Sequence, residues 1–143
     1  MDTEDPNPPS WIERRYLRER LLKDGSRPLW DEIRAAFQDA CTTFHERFDG
    51  NSECILENGR RVRITRNIPV DPVTRTPARS IHLLVEFVEA PPAVVVTGDA
   101  SARRFPFESD DAGIFILDKP GGKNRFTPDG LSQAVLERVF FPE

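Results

Sequence analysis

"ECILENGRRVRIT", residues 53–65, is where the chain changes its period. Before this stretch apolar residues recur every three to four positions, as on a buried helix face. From Ser52 onward they recur every second position, the spacing of a half-buried strand. Asn58-Gly59 readily supplies the positive φ angles of a tight turn, so these residues read as a β-hairpin. In its second strand Val62 and Ile64 point one way and Arg61 and Arg63 the other.

Downstream, Pro69, Pro72 and Pro77 cannot donate to a sheet ladder, and Asn67 to Ala78 reads as a stiffened loop. "SIHLLVEFVE" is the longest strand, with Ile81, Leu83, Val85 and Phe87 on one face and His82, Leu84, Glu86 and Val88 on the other. Pro91-Pro92 forces a turn into "AVVV", and Arg104–Glu108 with Ile114–Leu117 form a last hairpin over "SDDAG". Thr127 then caps and Pro128 opens a C-terminal helix that turns Leu131, Val135, Leu136 and Val139 inward and ends at Phe140-Phe141.

Upstream, two helices are expected. "SWIERRYLRERLLKDG", residues 10–25, starts with Ser10 and Glu13 as a capping box and stops at Gly25, and Ile12, Tyr16, Leu17 and Leu21 make its buried stripe. The second helix starts near Pro28 and places Trp30, Ile33, Phe37, Cys41, Phe44 and Phe48 on one side, which makes it the main core helix. The expected fold is therefore α+β: a sheet of about five antiparallel strands, with two N-terminal helices and one C-terminal helix packed mainly on one face.

The 143 residues suit one domain over 10–143, preceded by an acidic, proline-rich tail over 1–9 that is expected to be flexible. That tail is unlike a secretory leader, and no apolar run approaches the roughly 18 residues of a membrane span, so we expect a cytoplasmic protein. Cys41 and Cys54 belong to no Cys-x-x-Cys unit, so no zinc site is expected; two reduced thiols are the favoured reading and a single disulfide the alternative.

The net charge of −4 hides a local imbalance, because residues 60–79 carry six arginines against one acid, Asp71. Seventeen of the 20 basic residues are arginine, so an arginine here is not by itself a sign of bidentate recognition. Arg60, Arg61, Arg63 and Arg66 suit an anionic partner, protein or nucleic acid, or simply a wet strand face with Arg61 or Arg63 paired to Glu86 or another acid. No Phe, Tyr or Trp lies between Cys54 and His82 to stack bases, so nucleic acid is the weaker reading. Lys123 and Arg125, in a Gly-Gly-Lys loop before a helix N-terminus, are a second anion candidate, although the phosphate-loop spacing fails.

Catalytic groups are sparse. His45 and His82 sit on different elements, Asp110-Asp111 are turn formers, and Ser101 near Asp99 lacks a nucleophile elbow. No metal or cofactor is expected. Leu84, Val88, Phe140 and Phe141 are an apolar surplus that one domain need not cover, which points to a protein partner or a second copy. A third reading is a small-ligand cavity lined by Phe37, Phe44 and Leu83.

Overall fold

The computed structural model describes residues 10–48, 52–98 and 101–141; the tail over 1–9 lies outside them. It shows an α+β architecture in which helix α1 (Trp11–Arg47) precedes β1 (Ser52–Glu57), β2 (Arg61–Ile68), β3 (Arg79–Glu89), β4 (Pro92–Thr97), β5 (Ala102–Asp110), β6 (Gly113–Leu117) and β7 (Arg125–Phe126), and helix α2 (Pro128–Phe140) follows. The strands pair antiparallel with their sequence neighbours in the order β1 to β7. Among the described residues that is seven strands and two helices, where about five and three are expected; the six segments read as strands from the sequence all form, so the expected total is one short of them.

The hairpin forms as its sequence requires. Cys54 lies opposite Ile64 and Glu57 opposite Arg61, with Asn58 and Gly59 both at positive φ between them. β2 then runs beside β3, with Val62 opposite Val85 and Ile64 opposite Leu83, so one row of apolar residues crosses both strands. Val96 and Val94 extend that row, and Phe105 and Phe107 continue it into β5. On this face α1 lays Trp30, Ile33, Phe37, Cys41 and Phe44, and α2 adds Leu131, Val135, Leu136, Val139 and Phe140. Aromatic rings tie these elements together: Trp30 of α1 stacks on Phe87 of the sheet at 5.7 Å between centroids, and Phe44 of α1 stacks on Phe140 of α2 at 4.2 Å. Each such pair contributes about 0.5–1.5 kcal/mol beyond its buried area.

The two expected N-terminal helices are one. α1 runs unbroken for 37 residues, roughly 55 Å, with Pro28 inside it. Gly25, read as a stop, instead gives room for the sheet: a Cβ there would lie 3.3 Å from Ile114 Cγ2. Pro28 removes one helical donor, yet Leu29, Trp30 and Ile33 directly after it are buried, so packing overrides the local break. Ser26, one turn after Leu22, donates its hydroxyl to the Leu22 carbonyl and satisfies that acceptor again.

β7 is the strand the sequence did not suggest. Arg125–Phe126 pairs with β6 directly after the Gly-rich loop, and Phe126 meets Phe105 edge to face at 6.0 Å. Thr127 caps α2 as expected, accepting from the Gly130 N–H at 2.9 Å. Among the described residues no helix is long and apolar enough to cross a membrane.

Candidate functional site

The arginine hairpin resolves first. Val62 and Ile64 are 0% exposed while Arg61 and Arg63 stand in solvent on the opposite face. That face carries acids within reach of them. Arg61 Nε donates to Glu86 Oε2 at 2.9 Å from the facing position on β3, Arg63 reaches Glu57 at 3.4 Å, and Arg60 pairs with Glu89. Arg66 turns to the helix side, where its guanidinium lies 4.9 Å from the Phe44 ring centroid and donates to the Asn67 carbonyl. The four arginines thus have partners within the fold.

The Gly-Gly-Lys loop closes on itself: Gly122 N–H donates to Lys119 O and Asp118 N–H to Asn124 O. Lys123 is exposed, but Arg125 is engaged, donating to Asp110 at 3.0 Å and lying 3.7 Å over the Phe115 ring. Asp110 is held below the usual carboxylate range, first by the Ala112 N–H that donates to it and then by Arg125 and the Gly113 N–H. Asp110 is therefore a turn anchor, and Lys123 and Arg125 are not brought together with the hairpin arginines.

Groups suited to catalysis stay apart. His45 Nδ1 donates to the Ser52 carbonyl at 3.0 Å, pinning the end of α1 to the start of β1, and His82 is exposed on β3. Asp99, the expected neighbour of Ser101, lies outside the described residues. Among the described residues no three His, Cys, Asp or Glu side chains converge as a metal site. Cys41 and Cys54 are unjoined thiols. The neighbouring Cys54 side chain first, and burial second, push Cys41 up, while Cys54 is drawn down by the Cys41 side chain. Phe37 is fully enclosed and Phe44 nearly so, so the aromatic helix fills the space against the sheet rather than lining a cavity there.

The apolar surplus lies partly where expected. Leu84 and Val88 are half-buried on the sheet face away from the helices, but Phe140 is 7% exposed and belongs to the core. Phe141 is exposed and packs edge-on against Phe44 and Phe48. It borders a cleft of about 520 Å³ between the C-terminal half of α1 and α2.

The largest surplus is one that sequence reasoning mostly assigned to the interior. Ile12, Tyr16, Leu17 and Leu21, the expected buried stripe, are 43–60% exposed, and their neighbour Trp11 is 69% exposed. They lie on the N-terminal arm of α1, which leans on the β5–β6 hairpin, where Ser109 Oγ donates to the Arg18 carbonyl and Arg18 meets Asp111 at 3.5 Å. Trp11 borders Glu108 and Ser109 of β5, and Leu17 and Leu21 lie about 120–180° around the helix from Trp30, Ile33 and Phe37, so the expected stripe does not continue the face that packs on the core.

No protein-family model matches the chain, and neither a curated protein nor a solved structure is found to resemble it. The functional reading therefore rests on this geometry alone.

Proposed function

We propose that this chain is a non-catalytic binding module that works by contact with protein, and that its first partner is a second copy of itself. The observation that carries the reading is the α1 arm: five large apolar side chains, each at least 43% exposed, on a helix whose other half is the core of the molecule. Large apolar side chains left exposed together on one element mark a candidate interaction surface. A helical arm of about 14 residues is also marginal in water without something to pack against. The competing readings lack such support, since the hairpin arginines are already paired and the reactive side chains are scattered.

Light scattering across a dilution series tests this. The parent chain is expected to show a mass above the 16.3 kDa of one copy at high concentration and to fall toward it on dilution. The variant Tyr16→Ser, Leu17→Ser, Leu21→Ser should stay at one copy throughout, with its circular dichroism spectrum otherwise folded. A parent that scatters as one copy at every concentration would remove self-association from the reading.

A further inference from the structure

The proposed binding role makes no use of the two thiols, yet the fold brings them to one place. α1 ends at Arg47 and β1 starts at Ser52, and the contact of His45 Nδ1 with the Ser52 carbonyl at 3.0 Å ties the two elements at that turn. Cys41 lies four residues back from this anchor on the same side of the helix, about 6 Å of rise. Cys54 lies two residues on from it, on the same face of the strand as Ser52, about 7 Å away. The two steps are nearly equal, so the thiols come level across the α1–β1 seam. There Cys54 packs against the core cluster that contains Cys41. Their accessibility differs: Cys41 is 3% exposed, whereas Cys54 is half-buried on a strand that, among the described residues, pairs only with β2. One sulfur is within reach of solvent and the other is closed off behind it.

We propose that Cys41 and Cys54 form a redox site that closes reversibly to a disulfide, stapling α1 to β1, when the chain meets a small disulfide oxidant such as oxidised glutathione. Cys54 Sγ, as the thiolate, attacks one sulfur of the oxidant. The oxidant's S–S bond breaks, a mixed disulfide forms on Cys54, and one glutathione thiolate leaves and takes up a proton. Cys41 Sγ then attacks Cys54 Sγ, the second glutathione leaves, and the Cys41 proton passes to it. The chain loses two hydrogens with two electrons, and the oxidant becomes two thiols. The order follows from the site. Cys54 is the more accessible sulfur and the one drawn down, while Cys41 is pushed up by its neighbour and by burial. Once Cys54 is held in the mixed disulfide, no second thiolate opposes ionisation of Cys41. The bridge spans 13 positions and restricts the unfolded chain, so it stabilises the fold that makes it. The site lies on the C-terminal half of α1, away from the arm, and does not rest on the self-association reading.

Treatment of the folded full chain with oxidised glutathione is the test, read by intact mass, by peptide mapping without reductant and by thermal melting. We expect a loss of about 2 Da with no glutathione retained, one cross-linked peptide pair that contains Cys41 and Cys54, and a melting temperature about 5–10 °C higher. Dithiothreitol should reverse all three. Cys54→Ser should keep its mass and its melting temperature with or without oxidant, and Cys41→Ala should stop at the glutathione adduct on Cys54. If Cys41→Ala does not fold, the peptide map of the parent and the Cys54→Ser variant decide. A parent that keeps both thiols free, that ends as a glutathione adduct with Cys41 still a thiol, or that joins Cys54 to Cys54 of a second copy overturns the proposal. A bridge that forms but lowers the melting temperature overturns it as well, because the folded chain would then oppose the closure.

Discussion

Trp30 shows how much of this fold hangs on single side chains that bridge layers. Its indole is fully buried, stacks on Phe87, and donates from Nε1 to the Gly59 carbonyl at 2.6 Å. One residue of α1 therefore fixes both the sheet beneath it and the turn of the first hairpin. Gly59 sits at positive φ, where a side chain is strained, so the turn and the tryptophan specify each other. Trp30→Phe keeps an apolar ring but leaves the Gly59 carbonyl without its donor and opens a small cavity. We expect a loss of about 2–4 kcal/mol in urea denaturation. A loss below about 0.5 kcal/mol would mean that water replaces the indole and that the bridge contributes nothing net. By contrast, the exposed Arg61–Glu86 pair faces the same hairpin from outside and sets register more than stability.

At the scale of elements, period was legible and punctuation was not. The switch at Ser52, the Asn-Gly turn and the alternation in β2 and β3 all fold as the sequence implies, because each depends on residues within a few positions. Gly25 and Pro28 read as stop and start, but they lie in one helix because packing of Leu29, Trp30 and Ile33 overrides the local break, and Gly25 serves a contact nearly 90 positions away, where a Cβ would lie 3.3 Å from Ile114 of β6. β7 escaped notice for a related reason: two residues carry no period, and Arg125–Phe126 is a strand only because β6 lies beside it. The two punctuating residues should respond differently to mutation. Pro28 is exposed and lacks the N–H that would reach the Asp24 carbonyl, so Pro28→Ala should raise stability by about 1–2 kcal/mol, the helix gain less the stiffness lost from the unfolded chain. Gly25→Ala gains about 1 kcal/mol of propensity but must press Ile114 aside, and should come out near zero. Thermal melts of the two variants distinguish these outcomes. A destabilised Pro28→Ala would show instead that the proline sets a helix direction the core requires.

For the whole molecule, the governing fact is how α1 lies against the core. The helix extends beyond its contact with the core, and its apolar side chains change side on the way: Leu17 and Leu21 lie about 120–180° around the helix from Trp30, Ile33 and Phe37, so they face solvent while the stripe from Leu22 onward packs on the core. Helical periodicity reports which side of a helix is apolar, not what lies beside it, and for that reason the arm could not be read from the sequence while the core helix could. Charge follows the same logic of placement. The excess of positive charge over residues 60–79 looks like a footprint for a polyanion when counted along the chain. In space, Glu57, Glu86 and Glu89 face Arg63, Arg61 and Arg60, and the rest of the chain carries the net negative charge. A polyanion that took these arginines would have to displace three carboxylates first, and the ladder would repel it once their guanidinium partners were drawn away. We therefore expect single-stranded DNA titrated at about 50 mM and 200 mM salt to show little binding and no steep salt slope, with Arg61→Gln, Arg63→Gln, Arg66→Gln indistinguishable from the parent. A steep slope that the triple variant abolishes would mean that the glutamates yield to phosphate, and the arginine face would then replace the α1 arm as the working surface.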